Sequence, residues 1–357
     1  MKQSRVNTLQ PIVPYACLFC KGMLQERRSG LVCGQCGAQW DIKDDVPCFV
    51  KDAPYWGELP EAEMRALLKS AQKGYWKDAL EMIPEEKREV IISYGTDKTR
   101  GWWRYLLPGR DTGKVLDVGA GLGAVTFSLA NAGYEVVAVD SVPERAMFLT
   151  IRRDQDKIHN VQTACASALE LPFPENSFDV VILNGVLEWV GLSDTSLRPN
   201  KVQKKVLNNI YNLLKQKGIL YLAIENRIAG IYILGLKDPH SGLRFTTLMP
   251  RRIADLYARL KHKGGYKTYV YSKWGYEKML KEAGFKDSKF FLPLPSYRNF
   301  KVIIPVGNRR VTQYCATRIW NMKRLRLLRS ISFLIKLFPF SFLLDYFPPD
   351  YSIVARK

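Results

Sequence analysis

The stretch GKVLDVGAGLGAVTFSLANAGYEVVAVD, residues 113–140, decides the fold. KVLDV is a short apolar run suited to a strand buried on both faces, GAGLG is a turn, AVTFSLANAG has helical spacing, and EVVAVD is a second buried strand. Together they make a β-α-β unit, whose crossover is right-handed and whose strands lie parallel. Gly133 reads as the stop at the helix end.

Gly119, Gly121 and Gly123 have G-x-G-x-G spacing, which lets backbone approach a ligand closely at a helix N-terminus. Asp140, ending the second strand, is placed to accept hydrogen bonds from ribose hydroxyls. A dinucleotide site uses the same two devices, but two details favour S-adenosylmethionine. Asp117 precedes the glycines, where a pyrophosphate would be repelled and a sulfonium-bearing methionyl end would be attracted. The last glycine also follows the second by two positions rather than by the three of the dinucleotide pattern.

Downstream, SFDVVILNGVLEWV predicts a fourth strand over Val180–Leu183 and a loop opening a helix. VLNNIYNLLKQKGILYLAIEN then predicts an amphipathic helix, a Lys-Gly turn and a fifth strand. With VLDVGAGLG, VD, LPF and SFDVV in this order, the chain resembles the class I S-adenosylmethionine-dependent methyltransferases. The likeness runs from about residue 100 to 224 and resumes at WGYEKMLKEAGFKDSKFFLPLP and at the terminal YSIVARK, which resemble the last helix and the sixth and seventh strands. It implies an α/β fold: a seven-stranded Rossmann-like sheet with helices on both faces, here preceded by a small N-terminal zinc ribbon and carrying two late inserts.

Carried over by position, the resemblance puts Asp117, Gly119, Gly121 and Gly123 on the methionine and ribose side, Asp140 on the ribose and Ser141 beside the adenine. Asn184 and Gly185 close the loop after the fourth strand. Ser167 stands where the family often has Asp, leaving the adenine amino group to Ser167 or to the backbone amide of Ala168. Trp189 replaces a frequent His, so a general base is absent there. Glu188 reads equally as a helix cap or as a contact to the cofactor's amino acid end.

At the front, Cys17, Cys20, Cys33 and Cys36 form two C-x-x-C pairs, CLFC and CGQC, separated by twelve residues. Four thiolates satisfy a tetrahedral Zn²⁺ completely, which makes a structural rather than a catalytic site. Two disulfides are the competing reading, and the start of the chain lacks the apolar core of an export signal, so a reducing cytoplasmic setting favours zinc. The segment resembles zinc-ribbon modules at the front of some methyltransferases. Cys48, Cys165 and Cys315 fall outside the pattern and read as small apolar residues. The expected organisation is a zinc ribbon over 1–52, a helical linker over 53–99 and the methyltransferase domain over 100–357, with inserts at about 226–273 and 296–349.

Of the net charge of +20, residues 225–357 carry 26 Lys/Arg against 8 Asp/Glu, which points to an anionic partner on that side. IWNMKRLRLLRSISFLIKLF, within the second insert, interleaves Lys323, Arg324, Arg326 and Arg329 with Trp320, Leu325, Leu328 and Ile331 in the manner of a helix lying on anionic headgroups. Lys336, Asp345 and two prolines disfavour a span. The expected location is cytoplasmic and peripheral to the membrane.

The first insert opens with AIENRIAGIYILGLKDPHSGLRFTTLMPRR, residues 223–252, and supplies the polar groups expected nearest the sulfonium: Glu225, Asn226, Asp238 and His240. His240 is the candidate base, with Asp238 and Glu225 as its candidate companions. The chain is also similar, in ENR, DPHSGLRF and LPLPSYRNF, to methyltransferases of cell-surface polysaccharide and glycoconjugate assembly. That likeness implies a glycan, lipid-linked or small-molecule acceptor. The rival reading is an rRNA-type base methyltransferase that uses the ribbon and the basic face to hold RNA; no catalytic N-P-P-[YF] motif follows the fourth strand. No dedicated protein partner is predictable.

Overall fold

In the computed structural model, the residues described are 11–27, 30–51, 55, 57–107, 109, 111–194, 196–262, 264–308, 310–311, 314 and 345–357. The basic amphipathic segment expected around 320–336 lies outside them, as does Cys315.

At the front, β1 (Leu24–Arg27), β2 (Gly30–Cys33) and β3 (Gln39–Trp40) form an antiparallel sheet, and β4 (Ile42–Lys43) pairs with β5 (Val46–Pro47). Gly30 is required where β2 meets β3, because a Cβ there would sit 2.3 Å from the carbonyl oxygen of Trp40. Three helices follow: α1 (Glu61–Lys73), α2 (Trp76–Ala79) and α3 (Glu85–Thr96).

The main sheet contains β6 (Lys114–Val118), β7 (Glu135–Asp140), β8 (Val161–Cys165), β9 (Phe178–Asn184), β10 (Leu214–Glu225), β11 (Asp287–Leu294), β12 (Val302–Pro305) and β13 (Asp350–Arg356). Their order is β12-β11-β13-β10-β9-β6-β7-β8. The five strands β6 to β10 run parallel, and β13 enters antiparallel between β10 and β11. The sheet therefore has eight strands where seven were expected. The addition is β12, a four-residue edge strand folded back on β11 inside the stretch read as the second insert.

Helices α4 (Ala124–Ala130), α5 (Pro143–Gln155), α6 (Pro199–Leu213), α7 (Gly230–Ile233), α8 (Arg251–His262) and α9 (Lys273–Glu282) complete the fold. Both α5 and α6 begin with a proline, whose missing N–H costs nothing in the first turn. The parallel strands read as continuous apolar runs because helices cover both of their faces.

The cysteine-bearing front shares a core with this sheet. Val13, Tyr15, Leu31, Trp40 and Phe49 pack in one cluster with Leu116, Val137 and Leu183. The Gln162 side chain exchanges two hydrogen bonds with the Val13 backbone, at 2.9 and 3.0 Å. The helices α1 to α3 pack against α5 around Trp76 and Phe148. Arg152 of α5 donates to the carbonyls of Gly95 and Leu122 at 2.7 and 2.8 Å, tying α3 to the glycine turn.

Candidate active site

A cavity of about 400 Å³ lies beyond the carboxyl ends of β6, β7 and β9. The chain reverses its direction across the sheet between β6 and β9, the position where open α/β sheets form ligand crevices.

Asp117, Gly119, Gly121 and Asp140 line this cavity, as do Ser141, Ser167, Ala168, Asn184 and Gly185. Gly123 does not. It caps α4 at φ 91°, and a Cβ there would meet Leu149 and Phe127 at 2.6 Å, so its smallness serves packing instead of ligand contact. Gly121, by contrast, has φ 58° and open space where a Cβ would project. Its amide donates to Oδ2 of Asp140 at 2.9 Å, and the amide of Val142 donates to Oδ1 at 3.0 Å. Arg145 lies 3.9 Å from the same carboxylate and pairs with Glu58.

Asp117 is 2 % exposed and accepts a 2.6 Å hydrogen bond from the Thr126 hydroxyl. Burial pushes its carboxyl up to about 6. A nearby cation would reverse that shift. Both side-chain atoms of Asn184 are buried without a hydrogen-bond partner among the described residues, leaving a donor and an acceptor for a ligand. The Ser167 hydroxyl accepts from the Leu169 amide at 3.2 Å and braces its own turn.

Several lining residues were not singled out from the sequence. Glu58 and Tyr94 come from the segment read as a linker, Arg100 opens the segment read as the methyltransferase domain, and Tyr297 and Arg298 follow β11. Arg100 is a half-buried cation whose basicity is lowered by desolvation. No local pattern marks these residues, because the fold brings them in from a distance.

The insert delivers the remaining groups. His240 Nδ1 lies 2.9 Å from Asp238 Oδ1, and the ring stands edge-on to Trp189 with centroids 4.9 Å apart. The insert thus sets an imidazole against the Trp189 ring. His240 Nε2 lies 3.5 Å from Glu225 Oε2 and 3.9 Å from Glu188 Oε1. The other oxygen of Glu225 accepts from the Tyr297 hydroxyl at 3.0 Å and from Arg298 at 2.9 Å. Pro239, between Asp238 and His240, lines the cavity, whereas the side chains of Glu188, Glu225, Asp238 and His240 do not.

Asp238 is 1 % exposed, and besides the imidazole it accepts from the Ser241 and Thr246 hydroxyls, so it braces His240 and does not line the cavity. Asn226 is likewise withdrawn, since its amide donates to the carbonyls of Tyr346 and Pro348. Burial pushes Glu188 up, and the neighbouring Glu225 charge adds to that. Burial acts the same way on Glu225, but His240 and Arg298 outweigh it and hold its carboxyl below the usual range. For His240, burial opposes protonation, yet Asp238 and the two glutamates prevail and raise the imidazole above its ordinary value.

At the front, the four cysteine sulfurs lie within 4.8 Å of one another, with Cys17–Cys36 at 3.5 Å and Cys20–Cys33 at 3.4 Å. All four are free thiols, so the disulfide alternative is not what the fold adopts. A zinc ion bound to sulfur at about 2.3 Å requires sulfurs about 3.8 Å apart, which this set meets with little adjustment. Cys48 is partly buried and Cys165 fully buried, both remote from that cluster in the chain.

Residues 116–222 match the family model described as a methyltransferase domain. That segment runs from within β6 to within β10 and contains the whole glycine turn, so the match covers the centre of the chain. Over 87 residues the chain is 38% identical to the malonyl-(acyl-carrier protein) O-methyltransferase of Halorhodospira halophila, covering 24% of this chain and 29% of that protein. Over 125 residues it is 30% identical to the ubiquinone biosynthesis O-methyltransferase of Rickettsia typhi, covering 34% of this chain and 45% of that one. The chain thus spans less than half the length of these curated relatives. Among solved structures, a phosphoethanolamine N-methyltransferase 2 of Haemonchus contortus is similar with a TM-score of 0.44 and 16% identity, covering 84% of this chain and 61% of that one.

Proposed function

We propose that this protein is an S-adenosylmethionine-dependent methyltransferase that methylates a hydroxyl of a glycan or lipid-linked glycan at the cytoplasmic membrane surface. The observation that carries the hydroxyl reading is the meeting of His240, held by Asp238, with Glu225 at the end of β10, next to Pro239, which lines the cavity. A sugar hydroxyl is a weak acid, and its methylation calls for a nearby group to receive the proton. Two of the relatives are O-methyltransferases by name, which supports an oxygen acceptor.

S-adenosylmethionine, when bound, supplies an electrophilic methyl group on a sulfonium sulfur. The residues present fit it. Asp140 and the Gly121 turn suit the ribose, Asn184 has free polar atoms, Asp117 suits the sulfonium side and Arg100 suits a carboxylate. Helix α3 lines the cavity with Ile91, Tyr94 and Gly95, and alignment of donor and acceptor contributes much of the rate. We also assign the four cysteines a structural Zn²⁺, on the chemistry of the donor set.

The membrane reading is supported by α8. Ala254 and Ala258 face the protein, whereas Ile253, Leu256 and Leu260 stand on another face at 55, 59 and 76 % exposure, beside the exposed Arg252 and Lys261. Basic and apolar side chains on one outer surface suit anionic headgroups. Among the described residues no helix is long and apolar enough to cross a membrane.

Radiolabelled methyl transfer into fractionated cell extract tests the acceptor. Label is expected in the lipid-linked or polysaccharide fraction; label confined to RNA would establish the rival reading instead.

A further inference from the structure

Glu188, Glu225 and His240 present one ligand atom each, all within 4.8 Å of one another. They come from three distant parts of the chain: the loop after β9, the end of β10 and the insert. Glu188 is 0 % exposed, and neither of its oxygens has a hydrogen-bond partner among the described residues. Glu225 Oε2 and His240 Nε2 are likewise buried without one. Four orphaned polar atoms converging on one point are costly unless something they bind belongs there.

We propose that Glu188, Glu225 and His240 form a binding site for a divalent metal ion of the manganese-to-zinc series, separate from the cysteine cluster. The donor set of two carboxylates and one imidazole suits those ions. At metal–ligand distances of about 2.0–2.2 Å, ligand atoms around a tetrahedral ion stand about 3.3–3.6 Å apart. The Nε2 separations of 3.5 and 3.9 Å therefore need only small contraction.

The outer contacts are those that orient metal ligands. Asp238 engages Nδ1 of His240, which leaves Nε2 to face the ion. Tyr297 and Arg298 hold Oε1 of Glu225, which leaves Oε2 for the same point. The ion would balance a cluster in which three carboxylates, Glu188, Glu225 and Asp238, face Arg298 and one imidazole. It would also pin the insert to the ends of β9 and β10. Three protein ligands leave a position for a water oxygen. With the ion bound, His240 is a ligand and not a free base.

Mn²⁺ distinguishes this site from the cysteines, whose sulfurs favour zinc. Titration of the full chain with Mn²⁺, followed by electron paramagnetic resonance without cofactor or acceptor, is expected to show one saturable site. Glu188→Gln and His240→Gln should each weaken it at least tenfold, and Asp238→Asn by about 10- to 100-fold. Mn²⁺ should also raise the unfolding temperature of the parent chain and not that of Glu188→Gln, a comparison that separates lost binding from lost folding. Absence of saturable binding, or binding unchanged in Glu188→Gln, would overturn the site. Since the readout needs no methyl donor, failure of the methyltransferase reading would leave it standing.

Discussion

His240 Nδ1 and Asp238 Oδ1 lie 2.9 Å apart, two residues from each other in the same tight turn. The carboxylate fixes the ring, so Nε2 points at Glu225 and Glu188. In the metal-free chain, His240→Ala should lower kcat about 10²- to 10⁴-fold, the range for loss of a positioned proton acceptor. Asp238→Asn should cost less and should move the acid limb of the pH–kcat profile to lower pH, because Asp238 helps hold the imidazole above its ordinary value. Loss of activity with an unmoved profile would mean that Asp238 serves folding alone.

Asp117 carries a second, separate pH dependence. Its carboxyl is raised from 3.8 to about 6 by burial, so the folded state favours the protonated form. The stability it contributes is full below the unfolded value and is lost as pH rises through about 6. A sulfonium ligand prefers the ionised form, so S-adenosylmethionine affinity should rise between about pH 5 and pH 7. In Asp117→Asn that rise should vanish, while the ligand-free protein gains up to about 3 kcal/mol at pH 8. Calorimetry and thermal unfolding across pH check both halves.

The cysteine cluster shares its core with the main sheet through Val13, Tyr15 and Phe49. Metal analysis should give about one Zn²⁺ per chain for these four sulfurs. Cys33→Ser, or strong chelation, should lower the unfolding temperature of the whole protein instead of releasing a separate module. A metal-free chain with unchanged stability would refute the structural zinc.

Helix α8 offers a membrane test independent of the active site. Anionic vesicles should co-sediment the protein in a salt-sensitive manner, since the attraction of basic residues to headgroups is screened. Leu256→Glu with Leu260→Glu should weaken recovery at least several-fold. Equal recovery on neutral vesicles, or an unaffected double variant, would count against a lipid-facing surface.

The parts of the fold legible in the sequence are those whose residues are local. KVLDV and EVVAVD read as buried strands because both faces of β6 and β7 are covered, and the glycine turn between them is contiguous. The C-x-x-C pairs announce their own geometry. By contrast, β12 is a short edge strand whose four residues pair on one side only, and it was absorbed into an insert. Glu58, Tyr94 and Arg100 reach the cavity because α1 to α3 fold over it, and Arg152 bonds to Gly95 across 57 positions. Glu188 reads in the sequence equally as a helix cap or as a contact to the cofactor's amino acid end, and only the fold sets His240 and Glu225 beside it. The position of the insert after β10 predicts that it faces the acceptor, but the withdrawal of Asn226 and the bracing contacts of Asp238 depend on carbonyls and hydroxyls that no spacing reveals.

Isothermal calorimetry of S-adenosylmethionine against the full chain and against Asp140→Ala tests the central claim most directly. The Asp140 carboxylate holds the Gly121 turn and lines the cavity. The expected result is one cofactor bound per parent chain and no measurable binding to a folded Asp140→Ala. Absence of binding to the parent chain, or equal affinity in the variant, would contradict it.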